Sequence, residues 1–319
     1  VRAPDFWIKG GPLSLALAPL GWLWAAGARR RQSQGRPQRA PIPVICVGNL
    51  VVGGAGKTPV ARSIANRING AHFLSAGYGG TETGPLLVDP HRHSHLRVGD
   101  EPLLLSEIAP CWVAKNRLAG ARAAAAQGAS CVIMDDGYQD PSLAKTVSLV
   151  VIDGHVGFGS GRCMPAGPLR ESIEDGLKRA TAIVLLGEDR RNAERYFGYL
   201  PVIRAKLEPE AEVSALAGQH VVAFAGIARP EKFFHTLEHL GAKVVEAYSF
   251  PDHYPYHPNE IVELKTIAET RSAALLTTTK DFVRVPSHLR DGIATLRMTV
   301  TWEDEAAMLK IVAPAAKRP

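Results

Sequence analysis

The apolar run Val44-Ile45-Cys46-Val47 is followed within a few residues by Gly53-Gly54-Ala55-Gly56-Lys57-Thr58, after which the chain reads as a helix. A buried strand that breaks at glycines and resumes as a helix opens a βαβ unit, so this stretch commits the chain to a parallel sheet covered by helices. It also makes a seat for a phosphate. Glycines let backbone N–H groups crowd around phosphate oxygens, and the helix N-terminus adds its partial positive charge. Lys57 can reach the β- and γ-phosphates of a nucleotide such as ATP, and Thr58 can ligate Mg²⁺. Pro59 suits the first turn, where its missing N–H costs nothing. The full pattern, G-x-x-x-x-G-K-[ST], wants a glycine where Val51 stands, and the glycines here fall at 53, 54 and 56. Val51, Val52, Gly53, Gly54, Ala55, Gly56, Lys57 and Thr58 are therefore the candidate nucleotide loop, in a variant spacing. The plainer reading, a glycine-rich turn with an incidental lysine, needs the strand, the glycines, the Lys-Thr pair and the helix to coincide by accident.

Downstream, strand-like runs at His72–Ser75, Cys111–Ala114, Cys131–Met134, Val147–Ile152 and Ala182–Leu186 alternate with helical runs at Pro59–Asn69, Glu101–Ile108 and Lys115–Gln127. Such alternation predicts a P-loop-type α/β domain. The charged, Pro-flanked stretch Lys206–Glu212 reads as a linker, after which the pattern restarts with strands at His220–Ala225, Lys243–Tyr248, Ala273–Thr277 and around Leu296–Val300. The expected organisation is an arm over 1–35, a P-loop domain over 36–212 and a smaller α/β domain over 213–319 that closes over the site.

The net charge of +6 is confined to the front of the chain. Residues 1–40 carry seven Lys and Arg against Asp5 alone, and the other residues balance at 30 of each sign. Gly10 to Ala28 has no charge and holds Leu13, Leu15, Leu17, Leu20, Trp22, Leu23 and Trp24, followed by Arg29-Arg30-Arg31. This is threshold length for a membrane span, but Pro12 and Pro19 interrupt it and the tryptophans suit an interface. The expectation is an amphipathic helix on an anionic membrane surface, its arginines toward head groups. A span, a signal peptide ending at Ala26-Gly27-Ala28 and an ordinary packing helix are the alternatives. Balanced charge beyond the arm argues against nucleic-acid binding. Cys46, Cys111, Cys131 and Cys163 form no C-x-x-C pair and read as reduced core thiols.

Several acidic residues stand where phosphate chemistry would use them. Cys131-Val132-Ile133-Met134-Asp135-Asp136 is an apolar strand ending in two carboxylates, which can deliver an acid to Mg²⁺ beside a phosphate loop. Gln139 could point its amide into the same crevice. Asp100 and Glu101 precede a helix, either as an ordinary N-cap or as a general base for an attacking hydroxyl. Asp252-His253 could partner a carboxylate, though a lone histidine there is as readily a loop residue. Arg162 and Arg170 border a Pro-rich loop and could clamp phosphate, with surface ion pairing as the plain alternative. His91, His93 and His95 with Asp89 lack a second cluster at zinc-site spacing. No N-K-x-D guanine-reading motif follows the loop.

Assembled, these residues resemble the tetraacyldisaccharide 4′-kinase family, which phosphorylates a membrane-embedded acylated glucosamine disaccharide. The resemblance rests on Val47-Gly48-Asn49-Leu50 through Thr58-Pro59, Gly99-Asp100-Glu101-Pro102 and Asp135-Asp136-Gly137-Tyr138-Gln139. It continues in Pro165–Glu171, Ala223–Ile227, Phe250-Pro251-Asp252-His253 and Thr277–Asp281. It implies ATP and Mg²⁺ at Lys57 and Thr58, an acidic strand end at Asp135 and Asp136, and metal assistance from Glu101 and Gln139. It further implies Asp100 as the base, His253 as its support, and Arg170 on the phosphates. The implied acceptor is an acylated disaccharide 1-phosphate, and the implied protein a monomer on the cytoplasmic face of the inner membrane, peripheral or monotopic through its arm. The family's R-G-Y-G-R arginines are replaced by Ala76 and Gly80, and its asparagine by Ser160. A membrane-associated P-loop ATPase that positions cargo is the alternative.

Overall fold

The computed structural model describes residues 4–210 and 216–316. Eight strands come first in the chain: β1 (Val44–Gly48), β2 (Ala71–Ser75), β3 (Leu86–Leu87), β4 (Cys111–Val113), β5 (Cys131–Asp135), β6 (Val147–Asp153), β7 (Ala182–Leu186) and β8 (Val202–Pro209). Four more follow, β9 (His220–Ala225), β10 (Lys243–Ser249), β11 (Ala274–Thr278) and β12 (Ile293–Leu296), and then β13 (Met298–Trp302). The first sheet has the order β13-β8-β7-β6-β1-β5-β2-β4-β3, and the second β10-β9-β11-β12. In the first, β1, β2 and β4–β8 pair in parallel, while β3 runs antiparallel to β4.

β1, β2, β5, β6 and β7 are buried along their whole length, which is why they read as continuous apolar runs. β1 lies between β5 and β6, the point where the strand order reverses. The C-terminal ends of these parallel strands share one edge, and a crevice at such a switch point is where ligands bind in open α/β sheets.

The chain divides into two compact units, one containing residues 4–207 with 300–316, the other 208–299. The boundary expected at 212 lies among residues 211–215, outside the described ones. Residues 300–316 belong with the first unit rather than with the segment 213–319. Trp302 explains this locally, since it is buried and its indole N–H donates to Ser63 Oγ at 2.9 Å. The expected strand near 296–300 is two strands, β12 and β13, and only β12 stays in the second sheet. The expected linker 206–212 is largely the end of β8, whose alternating exposure mimics a charged loop in sequence.

The helices of the first unit are α1 (Asp5–Lys9), α2 (Pro12–Ala16), α3 (Ala18–Gln34), α4 (Lys57–Ala65), α5 (His95–Val98), α6 (Asp100–Ser106), α7 (Arg117–Ala126) and α8 (Ile173–Leu177). The second unit carries α9 (Pro230–His239), α10 (Pro258–Thr270) and α11 (Thr279–Phe282), and α12 (Glu305–Ala316) closes the described chain.

The arm is thus three helices, α1 and α2 parted by Gly10 (φ 74°) and Gly11 (φ 110°), α2 and α3 by Leu17. No helix among the described residues is long and apolar enough to cross a membrane. On α3, Gly21 is buried, while Leu20, Trp22, Leu23 and Trp24 are exposed and followed by exposed Arg29, Arg30 and Arg31. At 100° per residue the four apolar side chains spread over more than half the helix circumference. Polarity on the outward side is therefore divided along the axis, apolar first and basic after, instead of into two stripes.

All four cysteines are free and buried. Burial pushes the Cys46 thiol from 9.0 up to about 12 and that of Cys131 up to about 11. Because the unfolded chain ionises first, their stabilising contribution is complete below pH ~9 and is lost as pH rises toward about 12. We expect the native protein to leave an aromatic disulfide reagent unreacted at neutral pH, with thiols appearing only as it unfolds.

Candidate active site

Gly48, at the end of β1, is required by a close approach: a Cβ there would lie 2.3 Å from Tyr138 Cβ. The chain then runs beside 168–170, with Arg170 N–H donating to Leu50 O and Val52 N–H to Pro168 O, each at 2.8 Å. This ribbon, centred on the Val51–Leu169 bridge, holds the first half of the loop. Gly53 takes φ 110° with open space around its missing Cβ, as expected where backbone N–H groups must face a ligand. At Gly56 (φ 83°) the left-handed backbone would strain any other residue, and a Cβ would also press on Leu186 Cδ1 at 2.4 Å, so glycine is favoured before α4. Lys57 and Thr58 are buried at the start of that helix.

The register of β1 on β5 pairs Val47 with Asp135 and so brings the carboxylates to the loop. Thr58 Oγ1 donates to Asp135 Oδ2 at 2.7 Å. Asp135 Oδ1 is buried without a hydrogen-bond partner among the described residues. Burial raises the Asp135 carboxyl strongly and the nearby Glu101 carboxylate adds to this, while Lys57 and Thr58 pull it back. A buried carboxylate with one unused oxygen, a threonine on the other and a second acid nearby is a donor set that calls for a hard cation. Thr58, Asp135 and Glu101 therefore fit Mg²⁺.

Asp136 has the opposite environment. Its two oxygens accept from Arg170 Nη1 and Nη2 at 2.8 and 3.1 Å, and Lys57 Nζ is 3.6 Å away. Burial alone would raise this carboxyl, but Lys57 and Arg170 outweigh it and hold it below the usual range. Asp136 thus faces two cations of the chain, which differs from the metal role expected for it. Gln139 differs likewise. Its Nε2 donates to Asn49 O and Glu171 Oε1, and its Oε1 accepts from Arg170, so the amide braces the loop instead of pointing at a metal.

Asp100 is buried and is the first residue of α6. It is not the N-cap, since that position is Gly99 (φ 89°) and no side chain caps the helix. A Cβ on Gly99 would lie 2.5 Å from Tyr78 O, so the Gly77–Gly80 loop sets where Asp100 sits.

The sequence profile of the family described as "Tetraacyldisaccharide-1-P 4'-kinase" matches residues 13–316. The chain belongs to this family. It is 50% identical over 325 residues to the tetraacyldisaccharide 4'-kinase of Rhodospirillum centenum, covering 98% of this chain and 96% of that one. To the enzyme of the same name from Paramagnetospirillum magneticum it is 51% identical over 310 residues, 95% of each. The crystal structure of an "apo" form of LpxK from Aquifex aeolicus in complex with ATP superposes with a TM-score of 0.79 at 26% identity, covering 96% of this chain and 100% of that chain. Fold class, kinase activity and the nucleotide expected from the sequence agree with these relatives.

In the second unit, His253 takes φ 60°, and its backbone N–H donates to Gly226 O at 3.1 Å. Its Nε2 is 4.0 Å from Asp252 Oδ1 and its side chain is 46% exposed. Gly226 is in turn pinned by buried Asp281, whose Oδ1 accepts from Gly226 N–H at 2.8 Å and Tyr256 O–H at 2.7 Å. Arg284 Nη1 donates to Gly226 O at 2.9 Å and lies 3.2 Å from Asp281. Asp281→Ala should leave the Arg284 charge unbalanced and destabilise this unit by about 3–5 kcal/mol, as read by denaturant unfolding.

Glu171, which has no local signal of a role in the sequence, is buried between Gln139 Nε2 (3.0 Å) and Arg179 Nη2 (2.8 Å). The arm also reaches the kinase loop. Trp24 Nε1 donates to Arg170 O at 2.9 Å and Gln32 Nε2 to Gln139 O at 2.7 Å. Neither partner choice has a local signal, because both bonds end on backbone carbonyls more than a hundred residues away.

Proposed function

We propose that the chain transfers the γ-phosphoryl group of ATP to the 4′-hydroxyl of a tetraacylated disaccharide 1-phosphate. The observation that carries this reading is the Thr58–Asp135 bond with its unused carboxylate oxygen, set directly beneath the Gly53–Thr58 loop. The loop N–H groups and Lys57 hold the phosphates, while Asp136 keeps Lys57 and Arg170 in position. Thr58, Asp135 and Glu101 would hold Mg²⁺, which when bound neutralises charge on the transferring group. Asp100 accepts the proton of the attacking hydroxyl. The family resemblance gives His253 the role of supporting that base, and a double-substitution cycle on turnover reads the coupling. The test is incubation with γ-labelled ATP and a lipid extract. Label in a chloroform-soluble glycolipid is expected; release of inorganic phosphate without such a product would favour an acceptor-free ATPase.

The exposed Leu20, Trp22 and Leu23 of α3, followed by three arginines, support membrane-surface association through the arm, on the cytoplasmic face where ATP is available. A monomer is the expected state, checked by light scattering. Deleting residues 1–31 should impair action on acceptor in vesicles at least tenfold more than on acceptor dispersed in detergent. Equal loss on both would remove the anchor from the account.

A further inference from the structure

A pocket of about 380 Å³ lies between the α1–α2 turn and the segments 158–162 and 191–196. Lys9, Arg162, Arg191 and Arg195 line it and, among the described residues, no carboxylate does, Asp5 beside it pairing with Lys9 Nζ at 3.1 Å. The pocket is built into the fold. Ser160 N–H donates to Trp7 O at 2.7 Å, Trp7 Nε1 to Pro165 O at 2.9 Å, and a Cβ on Gly159 would lie 2.6 Å from Trp7 O. Phe158 and Tyr196, both lining it, meet edge to face at 5.6 Å. Arg195 stacks over Tyr196 at 4.7 Å and donates to its hydroxyl, which orients the guanidinium in advance. Arg191 is anchored through Nε to His155 O at 3.3 Å. Ser160 lines the pocket through its other atoms, its Oγ being buried against Gly167.

Preoriented guanidinium groups with no carboxylate among the described lining residues select an oxyanion that accepts several hydrogen bonds, and phosphate does so best. Leu15, 58% exposed, lines the same pocket, and Leu13 beside it on α2 is 54% exposed. A ligand seated here therefore meets cations and an open apolar surface together, which fits a phosphate carried on a lipid better than a free one. Arg162 and Arg170 stand at the two ends of one pinched loop, closed by Leu169 N–H on Arg162 O at 3.1 Å. We propose that this pocket binds the phosphate of a membrane-lipid head group, as a site separate from the nucleotide loop.

The test uses the full chain without ATP and vesicles of phosphatidylcholine doped either with phosphatidate or with oleate at equal surface charge. The unsubstituted protein should prefer phosphatidate, and Arg162→Gln with Arg195→Gln should lower that preference about tenfold. Arg30→Gln with Arg31→Gln, on exposed α3, should weaken binding to both vesicles alike. Lys9→Gln serves as the second variant, with a smaller loss of the same sign, should the double variant unfold. A pocket variant that keeps the preference, or that loses affinity equally for both vesicles, overturns the proposal. So does inorganic phosphate that abolishes the preference at concentrations matching the lipid phosphate. Turnover in detergent then locates the source. A raised KM for the glycolipid acceptor with kcat unchanged assigns the phosphate to the acceptor, and an unchanged KM assigns it to bulk phospholipid.

Discussion

Asp100→Asn should lower turnover by roughly 10²- to 10⁴-fold while leaving the affinity for Mg·ATP within about twofold. The carboxylate is buried at the first position of α6, on a backbone fixed by the Gly99 contact with Tyr78 O. Asparagine has the same shape and suits a helix start, so neither the helix nor the loop should move. What it lacks is a site for the proton. Phosphoryl transfer is otherwise a matter of positioning and charge neutralisation, which the nucleotide loop supplies independently. Turnover and nucleotide binding should therefore separate in this variant, as read by single-turnover transfer and by calorimetry. Turnover near that of the unsubstituted enzyme would remove Asp100 from the chemistry, and parallel loss of both would make it a structural residue.

How much of this site could be read in advance follows from how local each constraint is. Gly53, Gly56, Lys57 and Thr58 are contiguous because one turn of backbone must both cradle a phosphate and start α4, so the sequence shows them together. Asp135 is legible for a related reason: an apolar strand ending in acid announces the edge of a parallel sheet. The roles of Asp136, Arg170 and Gln139 are not local. Asp136 is neutralised by a residue 34 positions away and by Lys57 at the start of α4, and such pairing exists only once β1, α4, β5 and the 165–171 loop are assembled. A DDGYQ string alone cannot say which of its polar groups faces a metal and which braces a loop. The same limit governs the fold. β1 and β5 are buried on both faces and read plainly, whereas β8 exposes alternate residues and carries Arg204, Lys206 and Glu208, which read as a charged linker. The return of β13 and α12 to the first unit depends on Trp302 finding Ser63, a contact spanning 239 positions.

Asp135→Asn should cut turnover by roughly 10²-fold or more while the protein without nucleotide becomes as stable or more stable. The two effects have one cause. Asparagine's amide oxygen can still accept the Thr58 hydroxyl bond, so the packing of β5 against α4 survives. The substitution removes a charge buried beside Glu101, with one oxygen that nothing among the described residues satisfies. Burying that charge costs free energy, which Lys57 and Thr58 offset in part and a bound cation would offset further. We expect an unfolding midpoint unchanged or raised by roughly 2–4 °C, corresponding to about 1 kcal/mol. Added Mg·ATP should raise the midpoint of the unsubstituted chain by the usual linkage and raise that of the variant far less. A core carboxylate kept for folding would behave otherwise: its amide would lower the midpoint and leave the Mg·ATP shift intact. Thermal scans with and without Mg·ATP therefore decide between a metal-holding acid and a structural one without any assay of transfer.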